Sequence, residues 1–101
     1  MSLSPRPALF LDRDGVLNVD KGYVSQISDF EWIDGAKDCV KAFNDRGWWV
    51  FVVTNQSGIA RGYYTEDDME ALHDYMSSEL KIVGAHIDRF YHSPYHEDGE
   101  I

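Results

Sequence analysis

Two apolar, β-rich runs separated by a stretch of helical periodicity constrain this chain more than any other feature. "ALFLD", residues 8–12, is entered through Pro5 and Pro7 and reads as a short buried strand. "WWVFVVT", residues 48–54, is a continuous aromatic and β-branched run of the kind that packs into a sheet. Between them Ala36, Cys39, Val40 and Phe43 recur at helical spacing, with Asp34 as the expected N-cap and Gly47 as the left-handed stop. Two strands joined by such a crossover lie parallel and wind right-handed. Asp12 and Thr54, the last residues of the two runs, therefore fall at one carboxyl edge of a sheet, where open α/β folds bind ligands.

The pattern continues toward the C-terminus. Thr65 followed by Asp68 resembles a capping box, and Met69, Leu72, Met76, Leu80 and Val83 carry one apolar face of a second helix. "IDRFYHS", residues 87–93, reads as a third strand. The predicted class is α/β, a parallel sheet with helices on both faces, in one domain over residues 1–101. Cys39 and the pair Trp48 and Trp49 are expected in packed surroundings, and His73 on or beside the polar face of the second helix. Residues 13–34, rich in Gly, Asp, Asn and Ser, read as a long loop with a small hairpin, a length usually kept for function.

Charge narrows the classes of partner. The formal net charge of −9 is spread along the chain, which argues against the basic face that nucleic-acid binding needs, so such binding is not expected. The single cysteine rules out an intramolecular disulfide and a Cys-rich zinc site. No apolar run is long enough to span a bilayer and no cleavable leader is legible, so the protein is expected in the cytoplasm with no membrane partner.

Within that frame, "LDRDG" is the feature a fold alone does not explain, because unpaired carboxylates at the mouth of a core strand are costly. They fit phosphoryl transfer. Asp12 on a rigid strand end can attack phosphorus, and Asp14 can protonate the leaving oxygen and later deprotonate a water. Like charges a few ångströms apart repel by several kcal/mol at an effective dielectric near ~20, so Mg²⁺ held through Asp12 and nearby oxygens is the expected cofactor. Thr54 and the "TNQSG" turn offer a hydroxyl and backbone N–H groups to phosphoryl oxygens, and Arg61 is a nearby cation for a second anionic group.

These residues carry a resemblance. "LFLDRDGVLN" resembles the first motif of the haloacid dehalogenase superfamily of aspartyl phosphatases, and "VVTNQSGIARGYYTE" its second. With "VDKGYV" and "FEWIDG", the likeness is to the branch acting on heptose bisphosphates and histidinol phosphate, from about Ala8 to His96. It implies a Rossmann-like fold, Asp12 as nucleophile, Asp14 as general acid/base, and Mg²⁺ bound by the Asp12 side chain and the Asp14 carbonyl. It also implies Thr54 as phosphoryl stabiliser, with Asp20, Lys21, Gly22 and Tyr23 and then Asn55, Gln56 and Ser57 lining the sugar-phosphate pocket.

Two departures from the family stand out. Its zinc loop opens C-P-H-H where this chain reads "SPYH", so Ser93 and Tyr95 replace a thiolate and an imidazole, and zinc is not expected. The family's lysine and its later acidic Mg²⁺ ligand belong beyond Ile101, so the domain is expected to be incomplete at its C-terminus. A sheet cut after three strands leaves an edge unpaired, from which homodimerisation is expected. The function expected is a Mg²⁺-dependent phosphomonoesterase on a small phosphorylated metabolite, foremost a sugar bisphosphate. Its alternatives are a histidinol-phosphate phosphatase and a non-catalytic phosphate-binding fragment.

Overall fold

The computed structural model describes residues 5–22, 24–55 and 57–93. Strand β1 (Ala8–Asp12) is followed by an irregular segment with a short 3-10 turn at Ile27–Asp29, then helix α1 (Ala36–Asp45) and strand β2 (Trp49–Asn55). A single turn α2 (Ser57–Ala60), helix α3 (Glu66–Ile82) and strand β3 (Arg89–Ser93) complete the order. The strands form one parallel sheet ordered β1-β2-β3, in which Leu11 faces Val52 and Val52 faces Phe90.

Local chemistry accounts for the boundaries. The Thr65 hydroxyl accepts from the Asp68 N–H at 3.2 Å while the Asp68 carboxylate accepts from the Thr65 N–H at 3.0 Å, so the predicted capping box starts α3. Gly47, with φ +80°, follows the C-cap Arg46 of α1 and adopts the left-handed conformation that an L side chain resists. The other end of α1 differs from expectation. Gly35, with φ +85°, is the N-cap in place of Asp34, and the helix begins at Ala36.

Strand order decides where the core lies. Two right-handed crossovers that step in the same direction across a sheet put their helices on the same face. Val50 and Val52 accordingly meet Ala36 and Val40 from α1 and Met76 and Leu80 from α3 in one cluster. Complete burial of side chains such as Val50, Val52 and Leu80 contributes about 1.5–3 kcal/mol each. Among the described residues, then, both long helices cover one face, where the sequence suggested cover on two.

The opposite face carries an aromatic ladder. Phe10 and Phe51 lie 5.2 Å apart, Phe51 and Tyr91 5.8 Å, and Trp49 stacks on Phe51 at 6.2 Å. Phe10 is 61% exposed and Trp49 38%, so Trp49 is not the packed residue that its strand position suggested; the Arg6 guanidinium sits 3.8 Å from its ring centroid. Two further expectations fail for reasons of helix phase. Cys39 is exposed on α1, while His73 of α3 is buried. No helix among the described residues is long and apolar enough to cross a membrane.

Candidate active site

The site is built from β1 and the turn after it. Alternation along the strand points Leu11 toward the helical layer and leaves Asp12, in register with Val53, at the exposed carboxyl end of the sheet. The chain then folds tightly. The Arg13 carbonyl accepts the N–H groups of Leu17 at 2.9 Å and Asn18 at 3.1 Å, and the Gly15 N–H donates to the Asn18 carbonyl at 2.7 Å. Gly15 holds φ +88°, a conformation that favours glycine. Contacts from Val19 to the Glu31 carbonyl and from Ile33 to the Leu17 carbonyl, both 2.8 Å, tie this turn to the segment preceding α1.

A cleft of about 290 Å³ opens at this edge, lined by Asp12, Arg13, Asp14, Asp20, Val53, Thr54 and Asn55. Thr54, one residue before the end of β2, is 5% exposed, and Asn55, which ends the strand, is exposed. The parallel pairing brings together two strand ends that are distant in sequence, as the crossover argument required.

The remaining expected residues are placed less centrally. The Gly22 N–H donates to the Asp20 carboxylate at 3.0 Å, closing a small turn, and Lys21 is exposed and paired with Glu31 at 3.2 Å. Arg61 is exposed beyond α2 and is not among the residues lining the cleft, and Ser57 opens α2. Tyr23, Gln56 and the zinc-loop positions Tyr95 and His96 lie outside the described residues.

Asp14 is held from two sides. Its Oδ1 and Oδ2 accept from Arg13 Nε at 3.1 Å and Nη2 at 3.2 Å, and Oδ1 also accepts from Asn18 Nδ2 at 2.9 Å. Arg13 is itself buried, donating to the Val24 carbonyl at 2.9 Å and meeting His73 Nε2 at 3.1 Å. Burial, followed by the charges of Arg13 and His92, lowers the His73 pKa to about 3. These supporting residues were missed in the sequence, which assigned no role to Arg13. A signal existed for His73: it lies four residues after Met69 and three before Met76, on the apolar stripe.

The donor set suits a hard cation. Among the described residues lining the cleft, every side-chain donor apart from the Arg13 guanidinium is an oxygen or an amide, and Mg²⁺ in proteins is usually held through one or two carboxylates with the rest of its shell from water and substrate. The family resemblance would give it the Asp12 carboxylate and the Asp14 backbone oxygen; among the described residues no group of three His, Cys, Asp or Glu side chains converges on a metal position. With Asp14 paired to Arg13, the Asp12 and Asp20 carboxylates would otherwise repel an approaching phosphate by about 4 kcal/mol per unit charge pair at about 4 Å and an effective dielectric near 20.

Several known phosphatases are similar to this chain. The chain is 52% identical over 93 residues to D-glycero-alpha-D-manno-heptose-1,7-bisphosphate 7-phosphatase of Campylobacter jejuni, covering 92% of this chain and 54% of that protein. It is 46% identical over 95 residues to the beta-anomer 7-phosphatase of Escherichia coli K12, covering 94% of this chain and 50% of the relative. The fold matches the D,D-heptose 1,7-bisphosphate phosphatase of B. bronchiseptica, solved with magnesium and phosphate, at a TM-score of 0.87 and 31% identity over 91% of this chain and 52% of that one. A HAD-like phosphatase from Mesorhizobium loti matches at 0.86 and 39% identity, over 93% and 45%. No family model matches the chain. The chain spans about half the length of the curated relatives it matches.

Proposed function

We propose that this chain, which belongs by sequence and fold to the haloacid dehalogenase-like phosphatases, bears the nucleophile of a Mg²⁺-dependent phosphomonoesterase acting on a sugar bisphosphate such as D-glycero-D-manno-heptose 1,7-bisphosphate. The observation that carries the reading is the convergence of Asp12, Asp14, Asp20, Thr54 and Asn55 on one cleft at the carboxyl edge of a parallel sheet. It is supported by relatives that share these strands and are named for that substrate.

In this reading an Asp12 carboxylate oxygen attacks phosphorus, giving an aspartyl phosphate as the P–O bond to the sugar breaks. Asp14 supplies the proton to the departing sugar oxygen and then takes one from the water that releases inorganic phosphate. Its oxygens accept from three donors, which fix the direction of the carboxylate. Thr54 and Asn55 contact the phosphoryl oxygens from the neighbouring strand, and Asp20 to Tyr23, Gln56, Ser57 and Arg61 contact the rest of the substrate. When bound, Mg²⁺ offsets the negative charge shared by phosphate and carboxylates and fixes their approach. We further propose a cytoplasmic location and self-association through a sheet edge that is unpaired among the described residues.

Phosphate release from the heptose bisphosphate, histidinol phosphate and a generic aryl phosphate, with Mg²⁺, tests it. Turnover highest on the heptose and abolished by Asp12→Asn is the expected result. A folded chain that binds phosphate without turnover favours the second reading, a phosphate-binding portion that needs further sequence, which its half-length coverage of the relatives supports.

A further inference from the structure

Arg13 is a charged side chain with no exposed surface, and a buried guanidinium is tolerated only when its donors are matched. Its fork closes on the Asp14 carboxylate, and Nη2 also reaches the Val24 carbonyl. The Nη1 group faces His73 Nε2 at 3.1 Å. A guanidinium donates and never accepts, so Nε2 is the acceptor and the ring hydrogen sits on Nδ1. The imidazole is 6% exposed and stacks on Phe90 of β3, centroids 4.1 Å apart and planes 11° apart, which leaves little freedom to rotate. A continuous set of contacts thus runs from α3, through His73 and Arg13, to a carboxylate at the cleft.

We propose that His73 and Arg13 are positioning residues: His73 orients the Arg13 guanidinium, whose fork sets the direction of the Asp14 carboxylate at the cleft. The task of Asp14 rests on the phosphatase reading, whereas what holds Asp14 does not. The lowered pKa of His73 agrees with this role, because the ring keeps the lone pair that Arg13 requires through neutral and mildly acidic pH. Asn18, buried beneath the same turn, holds Oδ1 from the other side. A histidine present only to fill space would be replaceable by any apolar side chain of similar volume.

The test compares His73→Leu, which keeps bulk and removes the acceptor, with His73→Gln, which keeps an acceptor; His73→Met stands in if the leucine variant does not fold. Exchange of the Arg13 Nε–H with solvent is read by NMR on the whole chain, its signal identified by loss in Arg13→Lys. Slow exchange in the wild type and in His73→Gln, accelerated roughly tenfold or more in His73→Leu, is the expected result. Unchanged exchange in the leucine variant overturns the relay.

Turnover of an aryl phosphate with Mg²⁺ gives the second reading of the same variants. The value of kcat should fall roughly tenfold or more in His73→Leu, with KM within about twofold and recovery in His73→Gln, since misplacement of a reacting group costs rate. A leucine variant with wild-type kcat overturns the positioning role. If the wild type shows no turnover, the failure belongs to the phosphatase reading, and the exchange pattern still decides the relay.

Discussion

Acidification should unfold this protein partly through His73. The unfolded chain takes a proton on this residue near the ordinary value of 6.5, whereas the folded chain takes it only near 3. Between those values unfolding binds a proton, so stability rises with pH and is lost as pH falls below about 6.5. Integrating that difference from pH 7 to pH 4 gives a loss of about 3 kcal/mol from this residue, with one pKa unit worth about 1.4 kcal/mol. The ring's neighbours set the sign. Arg13 and His92 oppose a new positive charge, and Glu70 and Asp74, which line the adjoining depression with His92, do not reverse the direction. Urea titrations at pH 7 and pH 4 should show the wild type losing about 3 kcal/mol more than His73→Gln, since the carboxylates that also titrate are common to both. Equal losses in the two proteins would refute a neutral, buried His73.

Other outcomes follow from the same geometry. Asp12→Asn should lower phosphate release by at least roughly a thousandfold while leaving the urea midpoint nearly unchanged, because Asp12 is exposed and its partner strand is held by backbone pairing. Chelation of Mg²⁺ should stop turnover in the wild type, and added Mg²⁺ restore it, in a phosphate-release assay. Thr65→Ala should cost about 1 kcal/mol in urea denaturation, the usual loss of an N-cap, and Thr65→Ser should recover most of it. Light scattering at micromolar concentration should report a dimer for the wild type and a smaller mass for Phe10→Lys, which puts a charge on the open face beside the β1 edge; a wild-type monomer counts against association there.

Most of what positions the site was legible in the sequence because it depends on short-range signals. The Pro-flanked run before Asp12, the capping box at Thr65 and Asp68, and Gly47 after α1 each act within a few residues, and each appears where its chemistry requires. Parallel pairing follows from the length of the crossover, which by itself sets Asp12 and Thr54 at one edge. Helix phase was harder. Cys39 and His73 both fall at the margin of an apolar stripe, and which margin is covered depends on the neighbour the helix meets.

What the sequence determined by itself is the order of strand, helix and strand and the placing of two carboxylates at and just beyond a strand end, from which the proposed chemistry starts. Only the tertiary structure decided the rest: that α1 and α3 share one face of the sheet, and that Arg13 lies buried between Asp14 and His73. The reason is one of range. Propensity, capping and alternation are properties of adjacent residues, but a contact between positions 13 and 73 exists only once the sheet and α3 have packed, and burial is what makes that contact matter.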